Sequence, residues 1–394
     1  MIYAVVAEFN PFHNGHQYLV DRLKKDSDSS VIAIMSGSFV ERGDIALIDK
    51  YARAEAAVSC GVDLVLELPA PWCFSGAEFF ALGGVYVANG LGIVDSLAFG
   101  SESGDTNSLI ECAERLSSVE FQNALSEARN VNQNLGTAAL RAKIYTELYG
   151  ENEHFNGSND LLALEYIRAL KRVESEIVPI AHKRIGEVYN SEELTEICSA
   201  TAIRRVLSPE ISDFSRRDLS RYMPKPSYDI LMRELEAERI YTLSRLDTAA
   251  LALLRTRKPE VFSEIMEASG GVENRLTSLA NECRTIEELV ASAKDKRYSE
   301  SRIRRLLIAS ILGITMRDVE VPPEFTTVLA ANSRGRELLA LARKRASIDV
   351  LSKTSASKSL TGTAAEQYVR HMRAERLAEL CCISEPRRVG AVMI

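Results

Sequence analysis

The stretch AEFNPFHNGHQYL, residues 7–19, sits at the junction between two sequence patterns. Before it lies a short β-branched run, IYAVVAE (2–8). Its own end opens NGHQYLVDRLKK (14–25), with Tyr18, Leu19 and Leu23 on one side. A short apolar run passing into a helical period predicts a buried strand, a turn and a helix. His13 and His16 fall three apart at the helix start, so both imidazoles project toward one side. The first N–H groups of a helix have no partner within it and favour anions. Gly15 has no Cβ, so backbone or ligand can come close. Two imidazoles above open N–H groups suit phosphate oxygens, at the carboxyl end of a strand where open α/β sheets bind ligands. Two surface histidines, or a zinc site completed by Glu8, are the other readings of the same residues.

The pattern repeats outward. VIAIMSG (31–37), VDLVLELP (62–69) and VDSLAFGS (94–101) are further apolar runs. Between them lie two helical segments with glycine stops, DKYARAEAAVSCG (49–61) and AEFFALGGVYVANGLG (77–92). Near-continuous apolar strands alternating with helices predict an α/β fold, a doubly wound parallel sheet covered on both faces. Residues 105–172 read as helices, EIVPIA (176–181) as a fifth strand and SATAIRRVLS (199–208) as a helix start. The turn-rich MPKPSYD (223–229) marks a boundary between residues 1–225 and a mostly helical region, 226–394. In that region helices are expected over 229–241, 247–256, 258–268, 285–293, 299–312, 334–346 and 363–380. VEVPPEF (319–325) reads as a loop or short strand.

Composition bounds the function. The chain has 394 residues, 46% hydrophobic and 26% charged, as an ordinary globular protein has. No apolar run approaches the ~18–20 residues of a membrane span. The start carries Glu8 and no basic segment, unlike a secretory signal. Seven cysteines without CxxC spacing encode neither a disulfide framework nor a structural zinc site, so reduced thiols in a cytoplasmic chain are expected. The net charge of −7 hides an asymmetry: residues 1–225 hold 21 basic and 32 acidic residues, residues 301–394 hold 16 and 9. A polyanionic partner is therefore compatible with the second part only. RYSESRIRRLL (297–307) offers Arg297, Arg302, Arg304 and Arg305 as candidate contacts to RNA phosphates; a solvated face is the other reading.

His13-Asn14-Gly15-His16 after a strand resembles the HxGH signature of the nucleotidylyltransferase superfamily. The longer strings AEFNPFHNGH (7–16), MSGSFVERGD (35–44), DKYAR (49–53), GAEFFALGGV (76–85), FGSE (99–102), SNDLLALEYIRAL (158–170), SATAIR (199–204) and RYSESRIRRLL resemble the tRNA(Met) cytidine acetate ligase family. The resemblance covers most of the chain. It implies a nucleotidyltransferase-like ATP-binding domain over 1–225 and a tRNA-binding domain over 226–394. It also implies ATP contacts along Val6, Ala7, Glu8, Phe9, Asn10, Pro11, Phe12, His13, Asn14, Gly15, His16, Gln17, Tyr18 and Leu19, and at Gly100, Asn159 and Arg184. The family usually reads Pro-Asn-Asn-Ile-Leu where this chain has Ser158-Asn159-Asp160-Leu161-Leu162, so the second Asn is replaced by Asp160. Ser199, Thr201 and Arg204 resemble the superfamily's second phosphate motif, a helix start that is also read as a simple cap.

The function so implied is activation of acetate by ATP to acetyl-adenylate, then acetylation of N4 of the wobble cytidine, position 34, of elongator tRNA(Met), giving N4-acetylcytidine. His13 and His16 are expected to stabilise the departing pyrophosphate, and Lys50 to hold the α-phosphate. Ser36, Gly37 and Arg42 are expected to wall the acyl pocket. Mg²⁺ is expected with ATP, and no protein-held metal, membrane or protein partner. A small-molecule nucleotidylyltransferase and a non-catalytic ATP-binding RNA adaptor are the alternatives.

Overall fold

The structure, a computed structural model, describes residues 1–131, 135–184, 200–207, 219–387 and 390–394. β1 (Ile2–Ala7), α1 (Asn14–Leu23) and β2 (Ser30–Ser36) open the fold. A hairpin of β3 (Phe39–Val40) and β4 (Asp44–Ile45) leads into α2 (Lys50–Ser59), β5 (Leu64–Leu68), α3 (Ala77–Gly90) and β6 (Ser96–Ser101). Helices α4 (Thr106–Leu116), α5 (Val119–Val131), α6 (Thr137–Tyr149) and α7 (Ser158–Arg172) precede β7 (Val178–Lys183). α8 (Ala200–Val206) and α9 (Lys225–Glu236) follow. The alternation expected from the sequence is thus present, with ends shifted by a residue or two as fraying allows.

Strands β5, β2, β1, β6 and β7 lie side by side in that order, all parallel. β1 and β2 pair from Ile2 on Ser30 to Ala7 on Met35. The chain builds outward from β1 to β5, then returns to the other side of β1 for β6 and β7. The reversal leaves a crevice between the carboxyl ends of β1 and β6, the place where doubly wound sheets bind ligands. Alternate residues of the strands enter different cores. Ala4, Ile34 and Leu97 pack with α3 and α7, whereas Val5, Val31, Ala33 and Val65 pack with α1, α2 and α9.

The second half continues as α10 (Asp247–Thr256), α11 (Val272–Leu279), α12 (Ile286–Ala293), α13 (Glu300–Leu312) and α14 (Met316–Glu320). The helix expected over 258–268 is a short 3₁₀ turn, Pro259–Phe262; Glu267 at φ 73° turns the chain away from a helical path. Beyond it come β8 (Phe325–Ala331), α15 (Ser333–Ala342), β9 (Asp349–Leu351), α16 (Gly362–Glu379) and β10 (Val392–Met393). β8 pairs antiparallel with β5, and β9 and β10 pair with β8. The second part is mostly helical, as expected, and it also lends the strands β8, β9 and β10, so the sheet takes strands from both sides of residue 225. The physical reason lies in β5: every residue of LVLEL is buried, so its outer edge needs a backbone partner. The helices α10–α13 share one apolar core with α3 and α7.

Candidate active site

The crevice is floored by the stretch that follows β1. His13 is the N-cap of α1, and its Nδ1 accepts the Gly15 N–H at 3.0 Å. His16 Nδ1 accepts the His13 N–H at 3.2 Å, completing a reciprocal cap. With each Nδ1 accepting, the proton of the neutral ring resides on Nε2. The rings stack at 3.8 Å, and Phe9 and Phe12 pack against His16 with centroids 5.0 and 5.4 Å away. Phe9 is held at φ 45°, a left-handed conformation that costs a residue with a side chain. Burial, with Arg184 and Arg204 beside it, lowers the His13 imidazole from 6.5 to about 3. Burial, His13 and Arg184 lower His16 likewise. Both are neutral N–H donors at pH 7.

The pocket above them is lined by Val6, Ala7, Glu8, Phe9, Asn10, His13, Gly15, His16, Tyr18 and Leu19, with Gly100, Asn159, Arg184, Thr201 and Arg204. The structure brings these sequence candidates to one place. Glu102 accepts from Asn159 N and Nδ2 at 3.1 and 2.6 Å, fixing the start of α7, and Arg184 Nη1 donates to Asn159 Oδ1 at 3.3 Å. A Cβ at Gly100 would stand 3.2 Å from Arg184 Cγ, so the glycine lets that arginine lie across the strand end. Arg204 Nη1 donates to the Asn10 carbonyl at 2.7 Å and Nη2 to Thr201 Oγ1 at 3.2 Å. Ser199 lies outside the described residues.

Other candidates go elsewhere. Phe12 and Pro11 are buried in the floor. Asn14 Nδ2 donates to the Arg221 carbonyl at 2.8 Å, and Gln17 Nε2 to Asp21 at 2.7 Å and the Cys60 carbonyl at 3.1 Å. None of these four lines the pocket. Asp160 is buried behind it, accepting from Ser101 Oγ at 2.5 Å and Glu102 N at 2.8 Å and lying 2.8 Å from His154 Nδ1. Burial alone would raise this carboxyl, but the bonds from Ser101, His154 and Ser103 hold it below its usual range. Asp160 fastens the β6 end to α7, so an Asp in place of the usual Asn does not alter the pocket lining.

Lys50 departs from expectation most clearly. It lines a different cavity, with its ammonium 2.6 Å from Glu67 Oε1 and 2.8 Å from Glu375 Oε2. Helix α2 starts beside β5 rather than β1, so its first residue faces the β5 end. Of the expected acyl wall, Arg42 lines the histidine pocket; Gly37 backs onto Glu67 and Glu375, and Ser36 is fully buried.

The four arginines of the α13 region all have partners within the chain. Arg304 makes a two-pronged pair with Glu287 at 2.5 and 2.6 Å. Arg302 donates to the Glu267 and Ser269 carbonyls, both at 2.9 Å. Arg297 donates to the Gly270 carbonyl at 2.9 Å and lies over Tyr298. Arg305 is buried, donating to Glu267 Oε1 at 2.5 Å and to the Glu41 carbonyl and Oε1 at 3.0 and 3.2 Å. The amphipathic helix hid this, because Glu41 and Glu267 come from distant segments. Arg305 instead supports the pocket. Glu41 and Arg42 line it, and the Glu41 N–H donates to Glu8 Oε1 at 2.9 Å. Gly43, at φ 70°, lets the β3–β4 turn rest on α13, since a Cβ there would stand 2.5 Å from Arg305 N. Arg305→Ala should destabilise the fold by about 2–3 kcal/mol by taking the paired cation from Glu41 and leaving Glu267 only Arg302, 3.8 Å away. Urea melts of the variant beside wild type measure that loss.

Residues missed by the sequence reading include Phe80, Phe99, Leu162 and Tyr166, which line the pocket but read as ordinary core, and His182 and Lys183 from β7. The signal available for the last two was their place at the end of the fifth expected strand.

The buried histidines carry a stability consequence. Unfolded His13 takes a proton near 6.5, folded His13 only near about 3, so the unfolded state binds more protons between these values. Stability then falls as pH drops below 6.5. His13→Asn keeps a good helix cap. From pH 7 to 5 the wild type should lose about 1–2 kcal/mol more than this variant in urea melts.

A crevice at the switch point floored by a helix-capping histidine pair agrees with the class that the sequence defines: residues 1–388 match the HIGH Nucleotidyl Transferase family. The chain is 35% identical to the tRNA(Met) cytidine acetate ligase of Acetivibrio thermocellus over 368 residues, 90% of this chain and 88% of that one. It is 35% identical to that of a Thermoanaerobacter species over 367 residues, 91% and 90% of the two chains. The crystal structure of Thermotoga maritima TmcAL bound with alpha-thio ATP superposes with a TM-score of 0.88 at 30% identity, covering all of both chains. The chain belongs to the tRNA(Met) cytidine acetate ligase family.

Proposed function

We propose that this chain activates acetate with ATP and transfers the acetyl group to N4 of the wobble cytidine of elongator tRNA(Met). The observation that carries the reading is the histidine pair: both Nδ1 atoms are occupied by backbone N–H groups, which leaves two Nε2–H donors at the crevice. In the first step an acetate oxygen attacks the α-phosphorus, the bond to the β,γ-pyrophosphate breaks, and acetyl-adenylate forms. Charge accumulates on the departing pyrophosphate, where His13, His16 and the α1 N–H groups donate. Arg184 and Arg204 supply positive charge. In the second step the cytidine N4 attacks the acetyl carbon, AMP leaves with the bonding pair, and N4 loses a proton. Mg²⁺ carried by the triphosphate would neutralise part of its charge, with no dedicated cage of protein ligands needed to hold it.

The test is incubation with ATP, Mg²⁺, labelled acetate and bacterial tRNA, followed by mass spectrometry of the digested RNA. Acetylated cytidine that depends on ATP is expected. An adenylylated small molecule without RNA dependence would favour the metabolite nucleotidylyltransferase instead. Tight RNA binding with neither product would leave an adaptor.

A further inference from the structure

A second cavity, of about 670 Å³, opens on the same carboxyl edge of the sheet at the ends of β5 and the start of β8. It shares no lining residue with the histidine pocket and lies three strand spacings along, roughly 14 Å. Its floor is a polar network. Lys50 bridges Glu67 and Glu375, Ser38 Oγ donates to Glu375 Oε2 at 2.9 Å, and His371 Nε2 stands 3.4 Å from Glu67 Oε2. Two carboxylates against one ammonium leave an excess of negative charge. Glu67 is 1% exposed, and its Oε2 has no hydrogen-bond partner. Such an oxygen is costly to enclose unless a donor reaches it.

The three atoms Glu67, His371 and Glu375 offer are close enough for a metal ion. The protonation pattern argues against one. His371 Nδ1 accepts the Ala70 N–H at 3.3 Å, which places the proton on Nε2, and Lys50 already occupies the space between the carboxylates. His371 Nε2–H comes no nearer than 3.4 Å to Glu67 Oε2 and makes no well-formed bond to it, so the floor still has acceptor oxygen for an N–H donor. The walls narrow the choice: Tyr51, Tyr241 and Tyr368 line the cavity, and the exposed Lys353 stands at its rim. A simple amine would meet the floor and leave the rings and the volume unused. A nucleobase with an exocyclic amino group meets all three: N–H groups for the carboxylates, a flat ring for tyrosine, and a phosphate for Lys353.

We propose that this cavity receives a splayed, amino-bearing nucleobase of the RNA substrate, flanking the reacting nucleotide, with Glu67 and Glu375 as acceptors and Tyr368 as stacking surface. The inference rests on the RNA reading above. The test is ligand-observed NMR of the full chain with cytidine, adenosine, guanosine and uridine 5′-monophosphates, the part of each signal that Tyr368→Ala removes reporting this cavity. Uridine presents a carbonyl oxygen where cytidine has its amine, and a carboxylate rejects it. The three amino-bearing nucleotides should bind at least about tenfold more tightly than the uridine nucleotide. Glu375→Gln and Tyr368→Ala should remove that preference, and Tyr368→Phe should keep it. Equal binding of all four, no binding of any at millimolar concentration, or a preference unchanged in Tyr368→Ala overturns the proposal. In tRNA acetylation, Tyr368→Ala should raise the KM for tRNA about tenfold with kcat retained, and an unchanged KM also overturns it. A wild-type chain that acetylates no tRNA sinks the RNA reading, whereas the mononucleotide preference is measured independently of it.

Discussion

His16→Ala is expected to lower acetate-dependent ATP–pyrophosphate exchange by about 10²–10³-fold, the usual loss when one positioned donor to a developing oxyanion is removed. The argument starts from the cap. His16 Nδ1 is occupied by the His13 N–H, so Nε2–H is the one strong donor left to the ring. Burial, His13 and Arg184 keep that ring neutral, so it presents a dipole fixed in direction to whatever fills the crevice. Its benefit is greatest where charge develops, so kcat should fall together with kcat/KM; a rise in KM alone would mark plain ground-state binding. Alanine also removes half of the cap, at about 0.5–2 kcal/mol of stability. His16→Gln separates the two effects, because glutamine at this helical position restores the reciprocal cap. It should recover the melt and leave exchange at least about tenfold low. Exchange within threefold of wild type for His16→Ala would remove the histidine from the chemistry. The pH profile gives a second check. With His13 lowered to about 3 and His16 lowered as well, kcat/KM for ATP should run flat through pH 6.5. A limb near 6.5 would mean that a solvated imidazole controls binding.

What was legible in the sequence follows from range. The βα alternation and the His13–His16 pair are local, set by periodicity and a three-residue spacing, and the structure carries the elements nearly where the pattern places them. β8 was not legible. FTTVLAA holds aromatic and β-branched residues that suit a strand, but it is short and set among helices, and what gives it a sheet to join is the open edge of β5, some 260 residues earlier in the chain. The same holds for side chains. Arg305 read as a candidate phosphate ligand because its helix is amphipathic, whereas Glu41 and Glu267 enclose it from two distant segments. Tyr166 and Phe99 look like core in any periodicity analysis, and they are core residues that also wall the pocket. Site residues with a local signature are found from sequence. Those defined by what packs on them appear only when the chain is folded.

Lys50→Met tests this distinction with the largest expected stability effect. As an α-phosphate ligand, Lys50 could be lost without harm to the fold, and exchange alone would fall. The structure gives the opposite expectation. Lys50 is 6% exposed between Glu67 and Glu375, so its removal leaves a buried carboxylate without its cation, at about 3–5 kcal/mol. That is a large share of the ~5–15 kcal/mol by which domains are ordinarily stable. Adding Glu67→Gln removes the unpaired charge, so the double variant should recover most of the loss. Exchange by the folded double variant should stay within a few-fold of wild type, since Lys50 lines the other cavity. The pH dependence must also invert. In the wild type, burial would by itself raise Glu67, but Lys50 and His371 hold it below the usual range, so its contribution is lost as pH falls. In Lys50→Met the cation is gone and burial raises Glu67 above its unfolded value. That carboxyl then favours the fold below its unfolded pKa and opposes it as pH rises. The stability gap between wild type and Lys50→Met should therefore narrow from pH 7 toward pH 4. A gap that stays constant, with exchange abolished in the double variant, would return Lys50 to the phosphate.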